Sequence, residues 1–452
     1  MAQALFHAWE FLLLELSTCL PANETVVRQM LQVAQQCLNA NQSATGPESI
    51  FVKLVAARAD LALVLVQRLV KSSIVVKDIN QLLVTLVATI RGVEEPLAKE
   101  SAAYYRTLLK CLFVTLRAYQ LTDQKAASDS SAELESSAAD VTQTILNILD
   151  HVVCKGFRAL VSLIHDNDAE VVPEDLALLT AILQASLGLP TIEQSQTQVM
   201  NIVASHDAVH AATALFSWAD KLAHQGDPVY GELSILFLLE LSTLPLIAEQ
   251  LACDGVLSSL LSANLAKYML KAEISPYADA PVAQRCYAIW AKGLLPFMLN
   301  LLASLGATIA PEVAYVLNQF SHLLESSVDR FEAPGLNRTA SRSRPHYVTL
   351  VATSEIHSLA LLTRILAVLR INNTRDISAV EWDTTGLLEN VDFWLSGRRL
   401  LRERLLPLGA REVEWRNTKA SNAAGGNDNV LEQKVVSQLE TVRDVLSEAL
   451  ES

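Results

Sequence analysis

Two histidines one helical turn apart, in His206-Asp207-Ala208-Val209-His210, are the residues of this 452-residue chain whose spacing best suits chemistry. On a helix, side chains at i and i+4 share a face, so two imidazoles so placed could hold one zinc ion. A zinc peptidase also needs a glutamate beside the first histidine as general base. Asp207 stands there instead, one methylene shorter and poorly placed to hold the attacking water. No spacing marks a third ligand, although His224 lies fourteen residues on. A pair of ordinary surface histidines is the preferred reading. The phosphate-cradling G-x-x-x-x-G-K-[ST] and G-x-G-x-x-G patterns are missing, as is the G-x-S-x-G elbow of a serine hydrolase. The adjacent carboxylates Glu94 and Glu95 fit a helix start, where the positive end of the dipole stabilises them. No catalytic residue, metal ligand or cofactor-binding residue is assigned. No cofactor is expected, and the chain does not read as an enzyme.

The elements that carry these residues follow from composition. Gly 15 and Pro 14 together are about half the usual share of roughly 12%. Leu (76) and Ala (58) make up close to 30% of the chain. Those two are strong helix formers, whereas turns and strand ends need glycine and proline. The balance excludes an all-β fold and an α/β enzyme with glycine-rich loops. A net charge of −14 is wrong for broad nucleic-acid binding, which needs a basic footprint, so no nucleic-acid partner is expected. Six scattered cysteines without a C-x-x-C pair predict reduced core thiols of an intracellular protein. The first twenty residues contain Glu10 and Glu15 and lack a basic start, so they read as a helix rather than a signal peptide. The longest uncharged stretch, Gly293–Pro311, carries Pro296, Asn300, Gly306 and Thr308, and predicts a buried helix rather than a membrane span.

Helix-period stripes dominate. They include Leu54, Leu61, Leu65 and Leu69; then Tyr104, Leu108, Leu112, Thr115 and Tyr119; then Ile356, Leu359, Leu362, Ile365, Leu366 and Leu369; and, in the final helix, Val435, Leu439, Val442, Leu446 and Leu450. Pro47, Pro96, Pro173, Pro228, Pro281 and Pro311 each precede a helical run. Thr191 with Gln194, and Ser378 with Glu381, fit capping boxes. On the order of eighteen helices are expected, mostly amphipathic with one wide apolar face. Stacked pairs bury one face each, which suits an irregular HEAT/armadillo-like α-solenoid better than a single large bundle. Within Gly231–Ala266, the Asp254-Gly255 break between helices resembles an armadillo unit, with an ordinary helix–turn–helix as the alternative.

The expected organisation is N-terminal repeats over 1–121, an acidic Ser/Ala loop over 122–139 and central repeats over 140–331. A basic loop over 332–348, C-terminal repeats over 349–415, a flexible loop over 416–429 and a final helix over 430–452 complete it. Residues 332–419 carry a net +3, against −17 for the rest. Arg338, Arg342 and Arg344 in the loop, and Arg398, Arg399, Arg402 and Arg404 beyond it, could form a docking patch for an acidic partner, or a phospho-regulated loop around Ser341 and Ser343; a solvated surface is the plainer alternative. Trp382, Phe393 and Trp394 could anchor a bound helix in a groove. The candidate partner-binding residues are therefore Trp382, Phe393, Trp394, Arg398 and Arg402.

The run ISPYADAPVAQRCYAIWAKGLLPFMLNLLASLG (274–305), with AEQLACDGVLSSLLSANL before it, resembles the C-terminal tail of the large inner-ring scaffold nucleoporins of the one-eighty-eight type. The resemblance implies a piece of a longer protein of the nuclear pore complex, with a superhelical fold similar to nuclear transport receptors. It implies a non-enzymatic scaffold that binds a short amphipathic helix of a linker or adaptor nucleoporin, with weak contact to Phe-Gly repeats and no membrane span of its own. As a fragment, such a chain is expected to be monomeric. The competing functional reading is a soluble karyopherin-like transport receptor or cargo adaptor.

Overall fold

Leucine and alanine in 3.6-residue register leave little else for the backbone to do. Every regular element among the described residues is helical, and the only β pairings there are two isolated bridges, Val348 with Leu405 and Lys419 with Asn429. The computed structural model describes residues 24–42, 49–69, 76–126, 135–166, 171–223, 226–271, 274–332, 347–372, 376–420 and 428–451, besides isolated positions 4 and 8. The expected N-terminal helix, His224, Pro47 and the loop residues Arg338, Ser341, Arg342, Ser343 and Arg344 lie outside the described residues.

The helices in chain order are α1 (Glu24–Gln42), α2 (Ser49–Leu69), α3 (Val76–Arg91), α4 (Ala102–Ala126), α5 (Glu135–Ile148), α6 (Lys155–His165), α7 (Pro173–Leu187), α8 (Pro190–Glu193), α9 (Gln196–Ser205) and α10 (Ala208–Trp218). They continue as α11 (Val229–Leu241), α12 (Pro245–Cys253), α13 (Val256–Ser262), α14 (Asn264–Met269), α15 (Pro281–Ala288), α16 (Leu295–Leu305), α17 (Ala310–Gln319), α18 (Ser321–Arg330), α19 (Leu350–Asn372), α20 (Thr384–Ser396), α21 (Arg398–Arg404), α22 (Ala410–Asn417) and α23 (Val430–Glu451). Two π-helical turns, Leu149–Cys154 and Ile289–Leu294, join α5 to α6 and α15 to α16 without a break. The described segments outnumber the expected eighteen because long apolar runs are cut by single turns, as at Asp254-Gly255.

The chain forms two units, Met1–Leu215 and Phe216–Ser452. In the first, α1 packs on α2, α2 and α3 on α4, and α4 on α7, so each helix covers the apolar face of one near it in sequence. The stripe on α4 is buried at Leu108, Leu112, Thr115 and Tyr119. Arg106 on α4 grips Asp175 on α7 with two hydrogen bonds (2.6 and 2.8 Å), and Asp175 also accepts from the Val172 amide at the start of α7 (3.2 Å). In the second unit, α12 packs on α16, α16 on α19, and α19 on α23. Gly255 takes φ +64° between α12 and α13, the left-handed geometry that turns the next helix away and that the armadillo and the helix–turn–helix readings share. Each unit is all-α and built by neighbour-on-neighbour stacking, the α-solenoid class.

Some local expectations fail. Pro96, Glu94 and Glu95 sit in a turn rather than at a helix start, since α4 begins at Ala102. Neither expected capping box forms. Residues 376–383 are irregular and α20 is capped by Asp383, whose carboxylate accepts from the Gly386 amide (2.8 Å). The Thr191 hydroxyl is buried without a hydrogen-bond partner, because Pro190 starts α8 one residue earlier. Helix α4 runs to Ala126 and α5 starts at Glu135, so both reach into the stretch expected as an acidic Ser/Ala loop over 122–139, of which 127–134 lie outside the described residues. The final helix is not isolated by the stretch before it: α23 packs on α19, α20 and α22, burying Leu431, Val435, Leu439, Val442 and Leu446. The stretches Pro281–Thr308 and Leu350–Asn372 are long and apolar enough to cross a membrane, yet over half of each apolar window is buried inside the protein. Cys37, Cys111, Cys154 and Cys286 are buried and unpaired, while Cys253 is exposed.

Candidate partner-binding surface

The five residues singled out as partner contacts come together at one end of the second unit, where most of them are occupied internally. Trp394 is part of the core with Phe331, Val391 and Leu439, and its indole N–H donates to the Phe331 carbonyl (2.9 Å). Phe393 is half-buried, edge-on to Trp394 (centroids 5.6 Å apart). Trp382 packs against the same core, half-buried, with its buried indole N–H unpartnered. Trp394 is therefore no groove anchor. An aromatic in the inward register of a helix with a helix on either side is consumed by the core.

Two arginines of the basic patch are likewise paired within the chain. Arg402 binds Glu432 on α23 through two bonds (2.6 and 3.0 Å) and Asp428 through a third (2.6 Å). Those bonds to Glu432 raise the guanidinium pKa further. Arg398 donates to Glu440 (3.0 Å). For these two the acidic partner is the protein's own last helix, with Asp428 just before it. Among the arginines of α21, Arg399, paired with Glu403 one turn on (3.3 Å), is left largely in water, 93% exposed. A second cationic contact to α23 stands beside it: Trp415 lies between Arg411 (4.7 Å) and Lys434 (4.8 Å).

The two histidines do not share a helix face. His206 ends α9, Asp207 takes φ +54°, and His210 belongs to α10. His206 instead contacts the Asp150 carboxylate on the π turn, and Asp207 pairs with Arg158 (3.2 Å). Among the described residues no cluster of three or more metal-ligating side chains occurs.

The feature that sequence reasoning missed lies in the first unit. A cavity of about 670 Å³ opens between the turn after α3 and the helix formed by the π turn and α6. Pro96, Leu97 and Ala98 form one wall, and Lys155, Gly156 and Ala159 the other. Tyr105 and Leu179 lie at its floor. No motif announces it: Gly156 and Ala159 are small residues in an otherwise ordinary helix, and Pro96-Leu97-Ala98 reads as a helix start. Tyr105 is 7% exposed and its phenol is pushed up to about 12, chiefly by burial, with the Asp175 carboxylate adding to it. His151 on the rim is held below its usual value, mainly by burial.

The neighbour-on-neighbour helix stacking defines an all-α protein of the α-solenoid class. Comparison with known proteins agrees. The model for the nuclear pore protein NUP188 C-terminal domain matches residues 82–446. Nucleoporin NUP188 of Chaetomium thermophilum is 50% identical over 99% of this chain, which spans 26% of that relative's length. Nucleoporin NUP188 of Saccharomyces cerevisiae is 23% identical over 59% of the chain and 16% of its own length. A solved Nup188 fragment from Myceliophthora thermophila superposes with TM-score 0.71 at 56% identity, covering 81% of this chain and 98% of the fragment. The chain belongs to the NUP188 C-terminal domain family of nuclear pore proteins.

Proposed function

We propose that this chain is the C-terminal scaffold portion of a NUP188-type nucleoporin in the inner ring of the nuclear pore complex, and that it works by binding a short amphipathic helix of a linker or adaptor nucleoporin. The observation that carries the reading is the 50% identity to a NUP188 nucleoporin across nearly the whole chain. The physical support is that stacked amphipathic helices leave one side of each layer free, and a partner helix with anchors at i, i+3, i+4 and i+7 fits such a surface. Ordering the partner costs free energy, so a few buried anchors must dominate affinity. Weak contact with Phe-Gly repeats uses the same kind of apolar recess.

The test is titration calorimetry of the purified chain against peptides of about twenty residues tiled across the linker nucleoporins. One segment is expected to bind at 1:1 stoichiometry and to gain helical circular dichroism when bound. Failure of every segment overturns the reading. Release of the bound segment by a GTP-loaded small GTPase would favour the transport-receptor alternative, because a scaffold has no reason to let go.

A further inference from the structure

The cavity of the first unit is too large to be a packing fault. Protein interiors tolerate few voids larger than a water molecule, and about 670 Å³ falls within the roughly 300–1,000 Å³ of evolved concave sites. Its floor is apolar apart from one group. Tyr105 is more than nine-tenths buried, and its hydroxyl makes no hydrogen bond to a described residue. A Cβ added at Gly156 would stand 3.8 Å from that oxygen, so the hydroxyl is aimed at the helix wall of the recess. That hydroxyl is not among the fully buried polar atoms that lack a partner, so it opens into the recess and is a donor for something that enters it.

The walls say what that something is. Along the helix, His151, Lys155, Ala159 and Leu163 line the opening at four-residue steps, the first three exposed and Leu163 half-buried. A row at i, i+4, i+8 is the ridge that a second helix packs against, and Ala159 in its middle lets another backbone approach. The two walls carry opposite charge. Lys155 is exposed and has no ion pair among the described residues, and Arg91 beside it bonds only the neutral Asn147 (3.1 Å). Facing them, Glu94 and Glu95 are exposed on the turn and lack ion pairs among the described residues.

We infer that this cavity is the seat of the partner helix: an amphipathic segment whose bulky apolar side chains enter between Leu97 and Ala159. Carboxylates on one flank of that segment lie over Lys155 and Arg91, and basic residues on its other flank lie over Glu94 and Glu95. The opposed charges fix the direction in which the segment lies, because turning it end for end sets like charges against like. The inference rests on the helix-binding reading above and gives it an address.

The experiment uses the full chain and the peptide segment that binds it in the titration above, with three variants at exposed positions. Ala159→Trp plugs the opening, Lys155→Glu reverses one wall, and the double change Glu94→Lys, Glu95→Lys reverses the other. Unchanged circular dichroism and melting temperature show that each still folds. Each is expected to weaken binding about tenfold or more, and exchanging the peptide's own flanking charges is expected to restore affinity to the two charge-reversed proteins but not to Ala159→Trp. Wild-type affinity in all three variants overturns the location while leaving the helix-binding reading intact. Absence of any binding peptide for the wild-type chain overturns both. A small apolar molecule that native mass spectrometry finds on the wild-type chain and not on Ala159→Trp overturns the helix as occupant.

Discussion

Glu355 is a carboxylate with no exposed surface, and three donors converge on it: the Tyr287 hydroxyl (2.7 Å), the Trp290 indole N–H (3.0 Å) and the Arg330 guanidinium. Burying a charge is tolerable only when it is paired and hydrogen-bonded on all sides, as here. Arg330→Met leaves that carboxylate unpaired, and the second unit is expected to lose about 3–5 kcal/mol, read from urea unfolding. The surroundings also shape the alkaline limit. Burial holds Tyr105 at about 12 and, helped by Glu355, pushes Tyr287 well above the ordinary 10. A phenol whose folded pKa is raised contributes stability that is whole below pH 10 and lost as pH rises through the folded value. The phenolate absorbance that Tyr105→Phe removes is therefore expected to rise between about pH 10 and 12 together with loss of helix. If that share of the absorbance appears while helicity persists, the linkage is refuted. The sequence does not show this cluster: Tyr287 and Trp290 are neighbours on one helix, but Arg330 and Glu355 stand far from them in sequence, and only the stacking of α18 and α19 on that helix brings the four together.

At the scale of the element, periodicity showed where helices lie and which face they bury, but not which partner each face meets. The stripes on α4, α19 and α23 are buried at most of the positions assigned to them, with Tyr104, Ile365 and Leu369 half-buried and the Leu450 side chain not described. The wrong assignments share a cause. Trp394, Arg398 and Arg402 read as contacts for an outside partner because nothing in a single sequence says that α23 returns to meet them. Arg402 and Arg399 separate the two readings. Arg402→Ala abandons Glu432, whose side chain is 1% exposed, and is expected to cost about 2–4 kcal/mol and to loosen α23 in hydrogen exchange. Arg399→Ala, at a site almost wholly in water, is expected to change stability by under about 0.5 kcal/mol. Equal effects, or loss of partner binding without loss of stability in Arg402→Ala, would restore the docking-patch reading. Gly255 belongs to the same scale. Its Cβ would meet nothing within 4 Å, so Gly255→Ala is expected to cost about 1–2 kcal/mol through backbone geometry alone.

For the whole molecule, the composition decided the fold class and excluded enzymes that need glycine-rich loops, whereas the cavity is a property of packing that no composition records. It exists because the turn 92–101 stands off from α6 where Gly156 and Ala159 leave room, an arrangement invisible until α4 and α7 set the floor. A guest that binds only the folded chain stabilises it by mass action, about 2.7 kcal/mol at a hundredfold excess over its dissociation constant. That gain has a location. With the bound peptide at such excess, hydrogen exchange is expected to slow in the amides of 90–98 and 151–163, while the α19–α23 core around Trp394 stays as it was. Raising salt from about 0.1 to 0.5 M shortens the screening length from about 10 Å towards 4 Å, so the exposed flanks at Lys155 and Glu94 lose their part of the affinity. The apolar anchors between Leu97 and Ala159 keep theirs. A complex indifferent to salt would mean that the charged walls do not touch the guest; one abolished by salt would mean that the recess between them is not where its side chains go.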